Sequence, residues 1–343
     1  MFRSRYFFFP GLLAMMAVLG LQGCGCGFDC SGSPKNSPAT LNLGFSDAPV
    51  DDAREVVLEV SAITLRRAAA DDVVVETFTI PSLGVTDAES FQVDLLDYYG
   101  FAKVLVIQDL ELPVGVYSAI VLSVIDGDSN NSYVLQNDGS RKILDVTSSE
   151  LVLPGFTLTS GSSTFIVEFS LAQALLFNSV SDSYQLTASG ARVQQESTAA
   201  AVKGQVDAAL FDLQAPCDAK ADPLLGNSVY LYSGINLVQT NLADIFTPAS
   251  SNAIPADAIA PYAVVRVVAD NVNGGWVYSF AYLPAGDYTL AFTCAAEDDA
   301  PVDYNGLAIP FPTDQVYEVK LLEGATLSCD LASGASCIQS VSP

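Results

Sequence analysis

From Leu41 onward this chain runs in short apolar stretches broken by turn residues, and the stretches alternate with a period of two rather than the roughly 3.6 of a helix. Side chains that change face at every residue describe strands with one face in a core. Phe165, Val167 and Phe169 alternate with Thr164, Glu168 and Ser170, although Ile166 is apolar on the polar side. Val56, Leu58 and Val60 alternate likewise until Ile63 and Leu65 take the opposite parity, which predicts a bulge near Ser61. Val116 to Ile125 is apolar on both parities and predicts a central strand. Asp126-Gly127, Asn137-Asp138-Gly139 and Ser160-Gly161 supply turns at sandwich spacing. Only Leu171 to Phe177, rich in Ala and Leu, predicts a helix.

An internal repeat ties the two halves of the chain together. Leu112-Pro-Val-Gly-Val-Tyr-Ser118 recurs as Leu283-Pro-Ala-Gly-Asp-Tyr-Thr289. In each copy proline fixes φ, glycine supplies a tight turn, and tyrosine points inward as a strand begins, its hydroxyl within reach of loop backbone. Gln194 to Lys203, small and without periodicity, separates the halves.

The N-terminus follows a different logic. Arg3 and Arg5 precede the apolar run Gly11 to Leu21, which ends at Leu21-Gln22-Gly23-Cys24. Charge, apolar run, small residue and cysteine in that order form a secretory signal, and the run is short of the ~20 apolar residues that span a bilayer. Leu21-Gln22-Gly23-Cys24 resembles the bacterial lipobox, which implies cleavage after Gly23 and acylation of Cys24, with the membrane as a partner through that anchor. Cys26 is a poorer site because Gly23 would then stand where the apolar residue belongs. Gly25 rather than aspartate follows the cysteine, and by analogy with sorting in enteric bacteria this implies the outer membrane.

The expected organisation is a signal peptide over residues 1–23, a flexible tether over 24–40, and an all-β fold of two immunoglobulin- or transthyretin-like β-sandwich domains, 41–196 and 202–343. The net charge of −25 falls to −27 once the signal and its two arginines are gone, because the signal holds no acid. Such acidity excludes nucleic acid as a partner and leaves acyl chains, not headgroup attraction, as the membrane contact. Histidine is absent, which removes Ser-His-Asp and Cys-His catalysis and imidazole-built zinc sites. No cofactor is implied.

With Cys24 lipidated, Cys26, Cys30, Cys217, Cys294, Cys329 and Cys337 remain as disulfide candidates for an exported protein. Many pairings are open to six cysteines. Proximity favours Cys26 with Cys30 and Cys329 with Cys337, leaving Cys217 with Cys294. Tyr288, Leu290, Phe292 and Cys294 share a strand parity, so Cys294 points into the core if the tyrosine does.

Three other groups invite a functional reading. Asp126, Asp128 and Asn130 have the alternating oxygen side chains of a calcium loop, but Asn131 and Asn137 stand where an EF-hand needs glycine and glutamate, and a hairpin turn explains the same residues. Asp47, Asp51 and Asp52 cluster beside Ser46-Asp47-Ala48-Pro49, itself a turn sequence. Trp276, Tyr278, Phe280 and Tyr282 share a parity, and large aromatics on one strand face are normally core.

Residues 41–196 resemble the bacterial lipoprotein domain known as domain of unknown function 4382, through Leu43 to Asp52, Val56 to Leu65 and Leu112 to Leu122. Residues 202–330 resemble carboxypeptidase-regulatory or transthyretin-like sandwiches, through Lys203 to Val206, Asn227 to Leu231 and Gly275 to Leu290, with Ser233 to Pro261 as an added insertion. Neither resemblance implies a catalytic residue. The function these features imply is a non-catalytic, lipid-anchored envelope protein whose sandwiches bind a protein or glycan or play a structural part. The alternative is a carboxylate-dependent hydrolase or enzyme accessory module, which requires two facing acids in a concave, partly apolar pocket.

Overall fold

The computed structural model describes residues 39–332, apart from 48, 49, 51, 52, 69, 213, 214 and 216, together with the strand Ser340–Ser342. The signal segment, Cys24, Cys26, Cys30, Asp51, Asp52 and Cys337 lie outside the described residues. The first strand opens at Ala39, slightly before the expected Leu41.

The fold is all-β and builds two lobes, each with its own core. In the first, a four-stranded sheet runs Arg192–Gln195, Gly161–Glu168, Ala39–Ser46, Val104–Leu112. Ala39–Ser46 is parallel to Gly161–Glu168 and antiparallel to Val104–Leu112. A nine-stranded sheet faces it, and one apolar cluster joins the two, with Leu41, Leu43, Phe45 and Val167 from one side and Leu58, Ile63, Tyr117 and Leu122 from the other. Gly115–Val124 pairs on both flanks, with Ala53–Arg67 and Glu150–Leu158, so it is the central strand its double-sided apolarity predicts. The bulge also falls where the parity changes, since the register slips between Val60 and Ala62.

The predicted helix shrinks to the single turn Leu171–Ala174. One turn fixes several dihedrals for a single hydrogen bond, whereas Leu175–Asn178 finds a full strand partner in Ser183–Leu186. Strand pairing therefore wins over Ala/Leu propensity.

The second lobe is a five-on-four sandwich. Val268–Ala269, Trp276–Leu283, Ala200–Val206, Thr326–Ser328 and Ser340–Ser342 form one sheet, and Ala263–Arg266, Ser228–Ser233, Gly286–Thr293 and Val316–Leu321 the other. Val202, Tyr278, Phe280, Leu290 and Phe292 fill the space between. The insertion after Ser233 folds back over the outer face of the four-stranded sheet, where Leu242 and Ile245 join Tyr230, Tyr232 and Val264 in a smaller core.

The repeated turn does one job in both lobes. Leu112 ends a strand of the four-stranded sheet and Gly115 begins one of the nine-stranded sheet, while Leu283 and Gly286 make the same crossing in the second sandwich. Tyr117 donates its hydroxyl hydrogen to the Pro113 carbonyl at 2.9 Å, and Tyr288 donates to Pro284 at 3.0 Å. The two glycines are needed for different reasons. Gly115 has φ +146°, a value that side-chain-bearing residues rarely adopt, whereas a Cβ on Gly286 would stand 3.3 Å from the Tyr288 ring.

Cys217 and Cys294 form a disulfide with Cα atoms 5.9 Å apart, and both are buried. Tyr288, Leu290, Phe292 and Cys294 do share the inward face. Cys329 is disulfide-bonded as well. Gln194 to Lys203 is built as the end of a strand, a 3-10 turn at Glu196–Thr198 and the start of the next strand at Ala200.

Candidate ligand-binding clefts at the lobe junction

The lobes meet through an apolar contact flanked by polar ties. Ile166, the residue that breaks the alternation of its strand, is fully buried against Ala281 and Tyr282 of the second lobe. Tyr282 reaches that place because its strand bulges: the register slips between Ala200 and Val202, and Tyr282 takes φ +50°. Left-handed backbone on a tyrosine costs about 1–3 kcal/mol, and here it turns the ring away from the sandwich core towards the first lobe. Its hydroxyl then donates to the Phe101 carbonyl at 2.9 Å. Gln173 donates to the Pro261 carbonyl and the Arg192 guanidinium lies 5.7 Å from the Tyr262 ring centre, while Lys103 pairs with Glu196 at the end of the first lobe.

Beneath this contact sits a buried charge pair that no sequence pattern announced. Arg192 Nη2 lies 3.5 Å from Glu168 Oε1, and both side chains are almost wholly enclosed. Burial pushes the Glu168 carboxyl up to about 7, against the pull of Arg192 and of the Ser46 hydroxyl. Asp47, which the sequence places in a turn, is fully buried and accepts from the Leu171 N–H.

The other sequence candidates serve the fold. Asp126 accepts from the Val146 N–H and the Ser149 hydroxyl, each at 2.8 Å, and Asp128 accepts from the Asn130 N–H and side-chain amide. Asp126 thus ties its turn to the Val146–Ser149 segment, and Asp128 closes the turn at Asn130. The aromatic stripe divides: Tyr278 and Phe280 are core, Trp276 is half-buried against Phe211, and Tyr282 serves the junction.

Three ligand-sized clefts open where the lobes meet, one of them, about 560 Å³, between Gln173 and Arg192 of the first lobe and Pro261 and Tyr262 of the second. The first of the other two, about 480 Å³, takes Gln136, Asp138, Phe177 and Tyr184 from the first lobe and Arg266 and Asp299 from the second. Phe177 is half-exposed and packs at a tilt against Tyr184 with ring centres 4.9 Å apart. Burial pushes the Asp299 carboxyl up to about 7, with the Tyr230 hydroxyl opposing the shift and Asp244 reinforcing it. Asp138, in solvent, is held below the usual carboxylate range by the Ser140 N–H. These are two acids with divergent proton affinities in one cleft, but Asp299 is engaged by the Tyr230 hydroxyl and the Ile245 N–H. The second cleft, about 380 Å³, is lined by Tyr99 and Phe101 from the first lobe and by Lys203, Gln205, Ser279 and Asp330 from the second. Sequence reasoning passed over Tyr99 and Phe101 because they lie outside any alternating run. The available signal was the aromatic-glycine cluster Tyr98-Tyr99-Gly100-Phe101 between two strands.

Fold and clefts together define a two-lobed, all-β protein with ligand-sized spaces at its lobe junction. Residues 38–188 match the family model described as Domain of unknown function (DUF4382), which covers most of the first lobe. No curated protein matches the chain. Among solved structures the chain is similar to the Bacillus anthracis TIE protein, at 11% identity over 86% of this chain and 34% of that one, with a TM-score of 0.19. It is also similar to GBS52, the minor pilin of Streptococcus agalactiae (11% identity, 84% and 94% coverage, TM-score 0.17), and to BcpA, the major pilin subunit of Bacillus cereus (10%, 86% and 70%, 0.17). The chain thus spans about a third of the length of the Bacillus anthracis protein. Assignment of the sandwiches rests on the sheet pairing itself.

Proposed function

We propose that this protein is a non-catalytic lipoprotein of the cell envelope, held by acyl chains on Cys24, whose two sandwich domains bind a ligand at their junction. The observation that carries the binding role is the set of three clefts lined from both lobes, a common place for ligand sites. The anchor is supported by the order of Arg3, Arg5, the apolar run and Leu21-Gln22-Gly23-Cys24. Gly25 after the cysteine favours the outer membrane, and the five-on-four arrangement suits a carboxypeptidase-regulatory or transthyretin-like second domain. Labelling with a fatty-acid analogue followed by fractionation tests the anchor. Wild type is expected labelled and membrane-bound, Cys24→Ala unlabelled and released, and an unlabelled wild type ends the reading.

A second reading, a carboxylate hydrolase, is favoured by Asp138 and Asp299 sharing one cleft with opposed shifts. The binding reading is preferred because a general acid must offer its proton to substrate, whereas Asp299 accepts from Tyr230 and Ile245. Hydrolysis of any glycan that is abolished by Asp299→Asn reverses that preference.

A further inference from the structure

The cleft at Tyr99 and Phe101 has a composition that selects its occupant. Tyr99 is 48% exposed and Phe101 47%, so one cleft carries two large, half-exposed rings. They are not on a loose loop. Gly100 between them is buried at φ +64°, and the buried Ser46 hydroxyl lies within hydrogen-bond distance of the carbonyls of Tyr98 (3.1 Å), Gly100 (3.4 Å) and Ala102 (2.9 Å). The Phe101 carbonyl is held in turn by Tyr282. The backbone is thus held from both lobes while the rings stay open, which spares a ligand the cost of ordering the main chain that carries them.

Around the rings stand polar groups of mixed character. The Lys203 ammonium lies 5.5 Å from the Phe101 ring centre, Gln205 is two residues along the same strand, and Asp330 accepts from the Gln205 N–H at 2.8 Å. One cation and one anion leave the cleft balanced in charge inside a strongly acidic chain, which favours an uncharged ligand over a phosphate or a carboxylate. An acyl chain would use the rings but would take water from the Lys203, Gln205 and Asp330 side chains without bonding to them. A sugar ring uses both sets, because its C–H face packs on an aromatic ring while its hydroxyls donate and accept at the rim.

We infer that the Tyr99–Phe101 cleft binds a sugar ring of an uncharged glycan, an assignment that rests on reading the protein as a binding protein. The test uses the full mature chain and four neutral disaccharides, cellobiose, maltose, lactose and diacetylchitobiose, with octanoate as an apolar competitor, read by saturation-transfer NMR and calorimetry. At least one disaccharide binds, with saturation concentrated on the C–H protons of one ring face. Tyr99→Ala and Phe101→Ala each weaken it by roughly tenfold, the size expected for losing one aromatic contact. Both substitutions are at exposed side chains and leave the melting temperature within a few degrees, while Phe177→Ala in the 480 Å³ cleft leaves affinity unchanged. Absence of binding by all four sugars, binding that survives both ring substitutions, or displacement of the sugar by octanoate overturns the assignment without touching the anchor or the non-catalytic role. Release of monosaccharide on incubation does the reverse: it supports a sugar in the cleft and overturns the non-catalytic reading.

Discussion

Removing the Cys217–Cys294 bond isolates one contribution to the stability of the second lobe. The two residues are 77 apart in sequence, and closing a loop of that length restricts the unfolded chain by about 4–5 kcal/mol in the loop-entropy treatment. This is an upper figure, since residual structure in the unfolded chain subtracts from it, but it is of the order of a small domain's whole stability. For a lobe of this size it corresponds to a melting-temperature loss of roughly 10–20 °C. Substitution of both cysteines by alanine is cleaner than reduction, because Cys329 is also disulfide-bonded and a reductant would open that bond too. The chain carries one tryptophan, Trp276, which packs edge-on against Phe211 with ring centres 5.3 Å apart, close in sequence to Cys217. Its fluorescence therefore follows the second lobe alone. First-lobe stability is read from amide exchange in Gly115–Val124, the strand paired on both sides. We expect the tryptophan transition to fall by the stated amount and the exchange of Gly115–Val124 to be unchanged. A tryptophan shift under about 3 °C refutes the loop-closure reasoning, and an equal loss of protection in Gly115–Val124 shows that the lobes unfold as one rather than as separate domains.

Glu168 gives a pH-dependent prediction. Its carboxyl holds a proton up to about pH 7 in the fold and to about 4.5 in the unfolded chain, so the folded state binds the extra proton between those values and stability falls as pH rises through that window. The gap corresponds to on the order of 3 kcal/mol. In urea titrations at pH 5 and pH 7.5, Glu168→Gln should flatten the wild-type decline, with a residue left by Asp299, which is raised to a similar value. An unchanged slope refutes the assignment. For the repeated turn, Tyr117→Phe and Tyr288→Phe each remove one hydroxyl donor to a proline carbonyl and should cost about 1 kcal/mol by chemical denaturation. Losses below about 0.3 kcal/mol in both would show that the rings alone matter.

Period-two reading recovered the strands because one face of each met a core, and its two failures lie at the junction for the same reason. Ile166 looked misplaced only while its strand was assumed to have one buried face; the second lobe covers the other, and the residue is fully enclosed in that contact. Tyr282 looked like a fourth core aromatic because parity assumes an unbroken strand, and the bulge that re-aims it leaves no mark in residue types. The disulfide was legible because Cys294 shares a parity with three core residues and Cys217 was the remaining cysteine of that half. Glu168 and Arg192 are 24 positions apart on strands that become neighbours only when the sheet forms, so no local pattern could pair them. The same holds for the clefts, each of which draws residues from both lobes. A junction is made by surfaces whose partners are distant in sequence, and local alternation carries no information about which distant surface arrives. What the sequence does carry is the misfit: an apolar residue on a polar face, as at Ile166, or aromatics outside any strand, as at Tyr99 and Phe101, shows where a second surface or a ligand has to be looked for.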